Sequence, residues 1–146
     1  MIFTQFEAKD ASQVVALWHA CGLTRSWNDP MRDIARKQLV QPELFLVLRE
    51  GETIAATIMA GFDGHRGWVN YLAVAETHRG RGIGRALMAE VEQRLERAGC
   101  PKLNLLVRAD NYAVLDFYTH LGYVADDAVA LGKRLIHDVA PKPGPG

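Results

Sequence analysis

Between residues 68 and 97 a short apolar run, a turn of alternating arginine and glycine, and a helix-patterned segment follow one another without a gap, and that order restricts the fold more than any other stretch of the chain. Trp68 to Val74 is aromatic and apolar enough to read as a strand. Gly82 to Arg97 sets Ile83, Leu87, Met88, Val91 and Leu95 on one face of a 3.6-residue helix. Gly99 then ends the helix, Pro101 bars its continuation, and Leu103, Leu105 and Val107 alternate as a second strand, parallel to the first. The segment predicts a βαβ unit, and with it a sheet that carries a helix on its face.

The flanking residues extend that sheet. Ile2 to Phe6 is a short β-prone run, and Asp10 with Gln13 reads as a cap ahead of Val14, Leu17, Trp18 and Cys21 at helical spacing. Asp29-Pro30 marks a second helix start, with Asp29 as cap and Pro30 at the first helical position, running through Ile34 and Leu39 to a stop near Pro42. Leu44 to Arg49 and Thr53 to Phe62 form a hairpin across Glu50-Gly51-Glu52, and Asp63-Gly64-His65-Arg66-Gly67 is the next turn. Asn111 to Leu121 is a last helix closed by Gly122, followed by a β-prone tail from Tyr123 to Ile136 with a turn at Asp126-Asp127. Residues 1–139 are thus expected to make one mixed α/β domain of order β-α-α-β-β-β-α-β-α-β, and the Pro/Gly-rich residues 140–146 a disordered tail.

Composition removes several function classes. The 146 residues suit a single core, and 49% hydrophobic with 23% charged residues is ordinary for a globular domain. Lys plus Arg and Asp plus Glu stand at 17 each, so no overall field draws the chain to nucleic acid or to an anionic membrane. Cys21 and Cys100 are isolated, with no CxxC pair and no histidine at ligand spacing, which points to reduced thiols and no metal. Met1 to Phe6 lacks a basic region followed by an apolar run, and no continuous apolar stretch reaches the roughly 18 residues of a membrane span, so a cytoplasmic protein is expected.

The turn Arg79-Gly80-Arg81-Gly82-Ile83-Gly84-Arg85 then carries the chemistry. Where a strand turns into a helix, the first helical N–H groups have no partner inside the helix and lie at the positive end of its dipole. Glycines at 80, 82 and 84 remove side chains that would keep a phosphate off those amides, and Arg79, Arg81 and Arg85 add charge-assisted donors. The span suits a pyrophosphate; the same glycines equally suit a tight turn that lets helix and strand pack. No Gly-Lys-Ser/Thr follows, and Arg85 stands where a dinucleotide fingerprint needs its third glycine, so neither an ATPase nor a dinucleotide enzyme is supported.

Arg79-Gly80-Arg81-Gly82-Ile83-Gly84 resembles the Arg/Gln-x-x-Gly-x-Gly/Ala signature of the GCN5-related N-acetyltransferases, the GNAT family. Tyr71-Leu72-Ala73-Val74 upstream resembles that family's cofactor-binding strand, and Asn111-x-Ala113-x-x-x-Phe117-Tyr118-x-x-x-Gly122-Tyr123 downstream resembles its final helix. The likeness runs from about residue 2 to residue 136. Trp27-Asn28-Asp29-Pro30, Phe62-Asp63-Gly64-His65-Arg66-Gly67 and Leu131-Gly132-Lys133-Arg134-Leu135 are similar to the small bacterial acetyltransferases of the YpeA type. The resemblance implies a central mixed, mostly antiparallel sheet of six to seven strands flanked by about four helices. It also implies acetyl-coenzyme A as donor, with its pantetheine arm between strands 68–74 and 102–108 on backbone groups of Leu72 and Val74, beside Ala73, and its pyrophosphate on residues 79–85, Ile83 included. Asn111 would contact that cofactor as well as cap its helix, and Tyr118 would act as acid to the departing thiolate. The Leu72 N–H is a candidate oxyanion donor, a contact worth about 3 kcal/mol.

The acceptor side is read more openly. An amine must attack in neutral form, and a Lys side chain is only roughly 0.04% neutral at pH 7, so a base is expected to help. His65 is the first candidate, with Asp63 orienting it or the amine, and Tyr71 a further one; a surface turn and a core aromatic remain the plain alternatives. Trp27, Asn28 and Asp29 lie where the family lines its acceptor groove, and Asp29 or Asp63 could attract a cationic amine. Two functions stay open: transfer of an acetyl group through a ternary complex to a primary amine of a small molecule or a peptide N-terminus, or a noncatalytic acyl-coenzyme A sensing module. Pairing of two copies through the tail at residues 123–136 stays open as well.

Overall fold

The structure is a computed structural model and describes residues 1–139. Its strands are β1 (Phe3–Gln5), β2 (Phe45–Glu50), β3 (Thr53–Phe62), β4 (Gly67–Val74) and β5 (Leu103–Leu105), and its helices α1 (Ala11–Ala20), α2 (Pro30–Lys37), α3 (Ile83–Arg97) and α4 (Tyr112–His120). The strands lie in one sheet in the order β1-β2-β3-β4-β5, antiparallel except for the parallel β4–β5 pair that α3 connects. Mixed α/β architecture, helix count and the βαβ unit all stand as read from the residues.

Two cores sit on the two faces. On one, Ile83, Leu87, Met88, Val91 and Leu95 of α3 pack with Leu46, Ile58, Val69 and Tyr118. On the other, Val14, Leu17 and Trp18 of α1 and Ile34 of α2 pack with Phe45, Val47 and Ala73. Alternation along β2 and β3 supplies both faces, which is why those strands read as continuous apolar runs rather than as half-polar ones.

Two expectations need correction. Among the described residues there are five strands rather than six or seven, because the tail from Tyr123 to Ile136 joins no ladder. Side chains hold it instead: Asp126 accepts from Lys102 Nζ (2.8 Å) and Asn104 Nδ2 (2.7 Å), and Asp138 is bound by Arg36 and by the Asp29 N–H (3.2 Å). Residues 127–137 stretch exposed between those anchors, and β5, three residues long, offers too short an edge for them to pair with. Asp10 does not cap α1 either. Its carboxylate accepts from the Glu7 N–H (2.9 Å) and from Arg49, while Gln13 ties down β3 through Glu52 O (2.8 Å) and the Ile54 N–H (2.9 Å). The residues expected to form a disordered tail, 140–146, lie outside the described residues.

Candidate active site

The site is built on a break in β4. Pairing with β5 covers only Gly67–Leu103, Trp68–Asn104 and Val69–Leu105, yet β4 continues to Val74, so the two strands part after Val69. At the same point the β3–β4 register shifts between Thr57 and Met59, leaving Tyr71 and Leu72 opposite the single residue Ile58. The extra residue is a bulge centred on Tyr71, whose φ of 54° is positive for a bulky side chain. Such a conformation costs about 1–3 kcal/mol and persists only where its surroundings impose it.

Those surroundings are specific. The Tyr71 ring stacks on Trp18 at 3.7 Å between centroids and 9° between planes. Its hydroxyl donates to Asp33 Oδ2 (2.6 Å) and accepts from Asn28 Nδ2 (3.0 Å), and its carbonyl accepts from Thr57 Oγ1 (2.9 Å). Burial and then the Asp33 carboxylate push the phenol far above its ordinary range, which removes Tyr71 as a base.

Beyond the bulge, Ala75 N–H donates to Ala55 O, so the alternation of a strand turns Ala73 toward β3 and the backbone of Leu72 and Val74 toward the gap. The Leu72 and Val74 side chains pack on the α3 core, while Ala73 is buried on the α1 face. The Val74 carbonyl already accepts from Arg79 Nε (3.2 Å), and Cys21 Sγ lies 3.6 Å from it.

The glycine turn follows at the open end of the gap. Gly80 (φ 79°) and Gly82 (φ 75°) sit in left-handed conformations that side-chain-bearing residues resist, and Gly82 caps α3. Gly84 serves another purpose: a Cβ there would meet the Phe117 ring at 3.3 Å, so its absence lets α3 lie close against α4. Ile83 is buried, whereas Arg79, Arg81 and Arg85 are exposed; among the described residues Arg81 and Arg85 have no hydrogen-bond partner, while Arg79 folds back on Val74. The exposed amides and free guanidinium groups around a helix start fit a pyrophosphate.

Tyr118 and Asn111 come from α4. Asn111 caps it, accepting from the Val114 N–H at 3.3 Å, and stays exposed. Tyr118 is buried between Phe117 and Tyr123, edge-on to each, and its phenol is pushed up to about 12 by burial. It lines a groove of about 920 Å³ bounded by β5, α4 and the tail, and among the described residues its hydroxyl has no hydrogen-bond partner.

A second cavity, about 550 Å³, opens on the α1–α2 face of the bulge, lined by Asn28, Asp33, Arg36 and Lys37 together with Asn70 and Tyr71. Asn70 and Tyr71 line it together because the bulge puts two successive side chains on one face. Of the acceptor-side candidates, Asn28 and Tyr71 line this cavity. Asp29 caps α2 through the Met31 N–H (2.9 Å), and Trp27 is exposed on the loop before it.

Asp63 and His65 are a correction. Their turn joins β3 to β4 at the closed end of the β4–β5 pair, five strand residues or about 15 Å from Leu72. Asp63 Oδ1 accepts from the His65 and Arg66 N–H groups, both at 2.7 Å, and those contacts hold its carboxyl below the usual range. The pair therefore stabilises a turn and does not face the gap. The acid that does reach the cavity, Asp33, went unread, although it lies one helical turn beyond Asp29 on the same face.

Sequence and structure comparisons bear on the family and the fold. The profile of the acetyltransferase (GNAT) family matches residues 12–123. An acetyltransferase of Yersinia pestis (strain Pestoides F) is 49% identical over 133 residues, covering 91% of this chain and 94% of that protein. One of Pectobacterium atrosepticum is 47% identical over 133 residues with the same coverage. Among solved structures, Ard1 from Thermoplasma volcanium superposes with a TM-score of 0.73 at 25% identity, covering 84% of this chain and 82% of its own. An aminoglycoside antibiotic 6'-N-acetyltransferase from Acinetobacter haemolyticus gives 0.72 at 16% identity, over 93% of this chain and 99% of its own, a likeness of fold alone.

Proposed function

Because the chain belongs to the GNAT family of acetyltransferases, we propose that it passes an acetyl group from acetyl-coenzyme A directly to a primary amine held in the cavity beside Tyr71. The observation that carries this reading is the parting of β4 from β5 next to the bulge, with an anion-suited turn at one end and, on its flank, a cavity that holds Asn28, Asp33 and Tyr71. Family membership as an enzyme leaves the noncatalytic sensing module without support. The residue patterns at 27–30, 62–67 and 131–135 favour the YpeA-type subgroup.

On this reading the bound donor supplies an acetyl group as a thioester, and the chain's own groups do the rest. Amides of residues 80–84 with Arg81 and Arg85 hold the pyrophosphate, and Arg79 joins them by leaving Val74 O; Asn111 offers a further contact at the start of α4. The freed Val74 carbonyl and the N–H groups facing the gap hold the pantetheine arm. Leu72 N–H donates to the carbonyl oxygen as negative charge develops there. The amine nitrogen forms the new C–N bond, the C–S bond breaks, and the sulfur takes a hydrogen bond or the proton of Tyr118.

The amine's own proton leaves through water in the cavity, since Asp33 is engaged by Tyr71, Asn28 and Arg36. Without a dedicated base, an α-amine with a pKa near 8 starts roughly 250-fold better populated in neutral form at pH 7 than a lysine near 10.4. That favours a peptide N-terminus or a weakly basic small amine over a lysine side chain.

Calorimetric titration with acetyl-coenzyme A, coenzyme A and ATP at one salt concentration tests the donor site. Micromolar binding of both coenzyme A species and none of ATP is expected, followed by acetylation in a screen of α-amines. Equal binding of ATP, or no binding at all, overturns the assignment.

A further inference from the structure

Before the bulge, Gly67 N–H donates to Lys102 O, so odd-numbered residues of β4 present their backbone to β5. After it, Ala75 N–H donates to Ala55 O, so odd-numbered residues present theirs to β3. In an unbroken strand Leu72, an even residue, would have spent its N–H on β3. One extra residue at Tyr71 inverts the alternation and hands that N–H to the gap.

Among the groups that hold Tyr71 in that conformation is a buried hydroxyl. Thr57 is fully buried in the middle of β3, amid Ile54, Ala55, Ala56 and Ile58, where an unpartnered polar group would be costly. Its Oγ1 accepts from Trp18 Nε1 (2.9 Å) and donates to the Tyr71 carbonyl (2.9 Å). A threonine hydroxyl has one proton, and the Trp18 N–H, which can only donate, leaves that proton to Tyr71. The register break follows directly after Thr57, which still pairs with Ala73.

We propose that Thr57 is a positioning residue for the transfer: its hydroxyl latches the Tyr71 carbonyl in the bulge and so aims the Leu72 N–H at the thioester carbonyl oxygen. The inference rests on the proposed role of the Leu72 N–H, and it adds a residue that never touches either substrate.

Thr57→Val keeps the shape and removes the hydroxyl; Thr57→Ser restores it. Expected are a fall in kcat of about 100-fold in Thr57→Val, the scale of losing one oxyanion donor, with KM for acetyl-coenzyme A within about threefold, and near-complete recovery in Thr57→Ser. Val14→Ala, a cavity in the same α1-side core, controls for loosened packing and should lower Tm while leaving kcat within about threefold. The carbonyl stretch of bound ¹³C-acetyl-coenzyme A separates the two readings. A downshift in the native protein that is lost in Thr57→Val supports the latch. A downshift and a kcat that both survive in Thr57→Val overturn it. No downshift in an active native protein overturns the role of the Leu72 N–H instead. Thr57→Ala serves if the valine variant does not purify; if neither folds while Val14→Ala does, Thr57 acts on folding and the assignment falls.

Discussion

Tyr118 shows how burial sets the sign of a residue's chemistry. With its phenol pushed up to about 12, it stays protonated across the working range and keeps its O–H to donate, while an ordinary thiol titrates near 8.5. Complete proton transfer to the thiolate is therefore uphill, and a hydrogen bond to the departing sulfur is the larger contribution. Tyr118→Phe should lower kcat about 10- to 100-fold and leave acetyl-coenzyme A affinity within about twofold, read by steady-state kinetics beside calorimetry. Because the protonated form is the active one and its pKa is raised, no alkaline loss assignable to Tyr118 should occur below about pH 11; a Tyr118-dependent limb near pH 10 would contradict the burial argument. The phenylalanine–tyrosine pair at 117–118 was legible because it sits in a run of residues, Asn111 to Tyr123, that resembles the family's final helix. The positive φ of Tyr71 was not, because Thr57, Trp18, Asp33 and Asn28 meet it from β3, α1, α2 and the loop before α2.

At the scale of elements, the glycine turn and the tail illustrate two ways in which a segment is held. Gly82→Ala places a side chain at φ 75° with nothing near its Cβ, so its cost is conformational. Gly84→Ala keeps an ordinary backbone but drives a methyl group against Phe117, and it should shift α4 and with it Tyr118. We expect the first to weaken coenzyme A binding and the second to lower kcat more than affinity, a contrast that calorimetry and kinetics on the two variants decide. The tail is held by charge: Asp138, with its side chain fully buried, has its carboxyl pulled down to about 2, chiefly by Arg36. A depressed carboxylate contributes its stabilisation above the unfolded value near 3.9 and loses it as pH falls toward the folded value, so the anchor should persist at pH 5 and fail between about 4 and 2. Limited proteolysis within residues 127–137 should therefore be slow at pH 5 in the native chain and fast in Asp138→Asn; equal rates would show that the tail is held otherwise. The β-prone residues from Tyr123 to Ile136 forecast a strand here, but a ladder also needs a partner edge, and the length of β5 is not written in the tail's own residues.

Across the whole molecule, the two faces of the sheet carry different parts: the α3–α4 face carries the glycine turn and Tyr118, and the α1–α2 face carries the cavity proposed for the acceptor, with the bulge of β4 between them. The βαβ unit and its glycine turn were readable because both are local in the chain. The cavity was not, because Asn28, Asp33, Asn70 and Tyr71 converge only after α2 docks on the sheet. Two cores that share β2 and β3 should melt together. Leu87→Ala on one face and Phe45→Leu on the other each open a cavity in a fully buried site, and the first should cost about 2–5 kcal/mol. Either loss should lower a single thermal transition seen alike by far-ultraviolet dichroism and tryptophan fluorescence, since Trp18 sits in the α1-side core and the α3 side holds no buried tryptophan. Saturating coenzyme A should then raise Tm in both variants by mass action, because the ligand binds only the folded chain. If Leu87→Ala instead melts α3 while the Trp18 signal stays native, the two faces are separate folding units, and acceptor binding should survive the loss of the cofactor side.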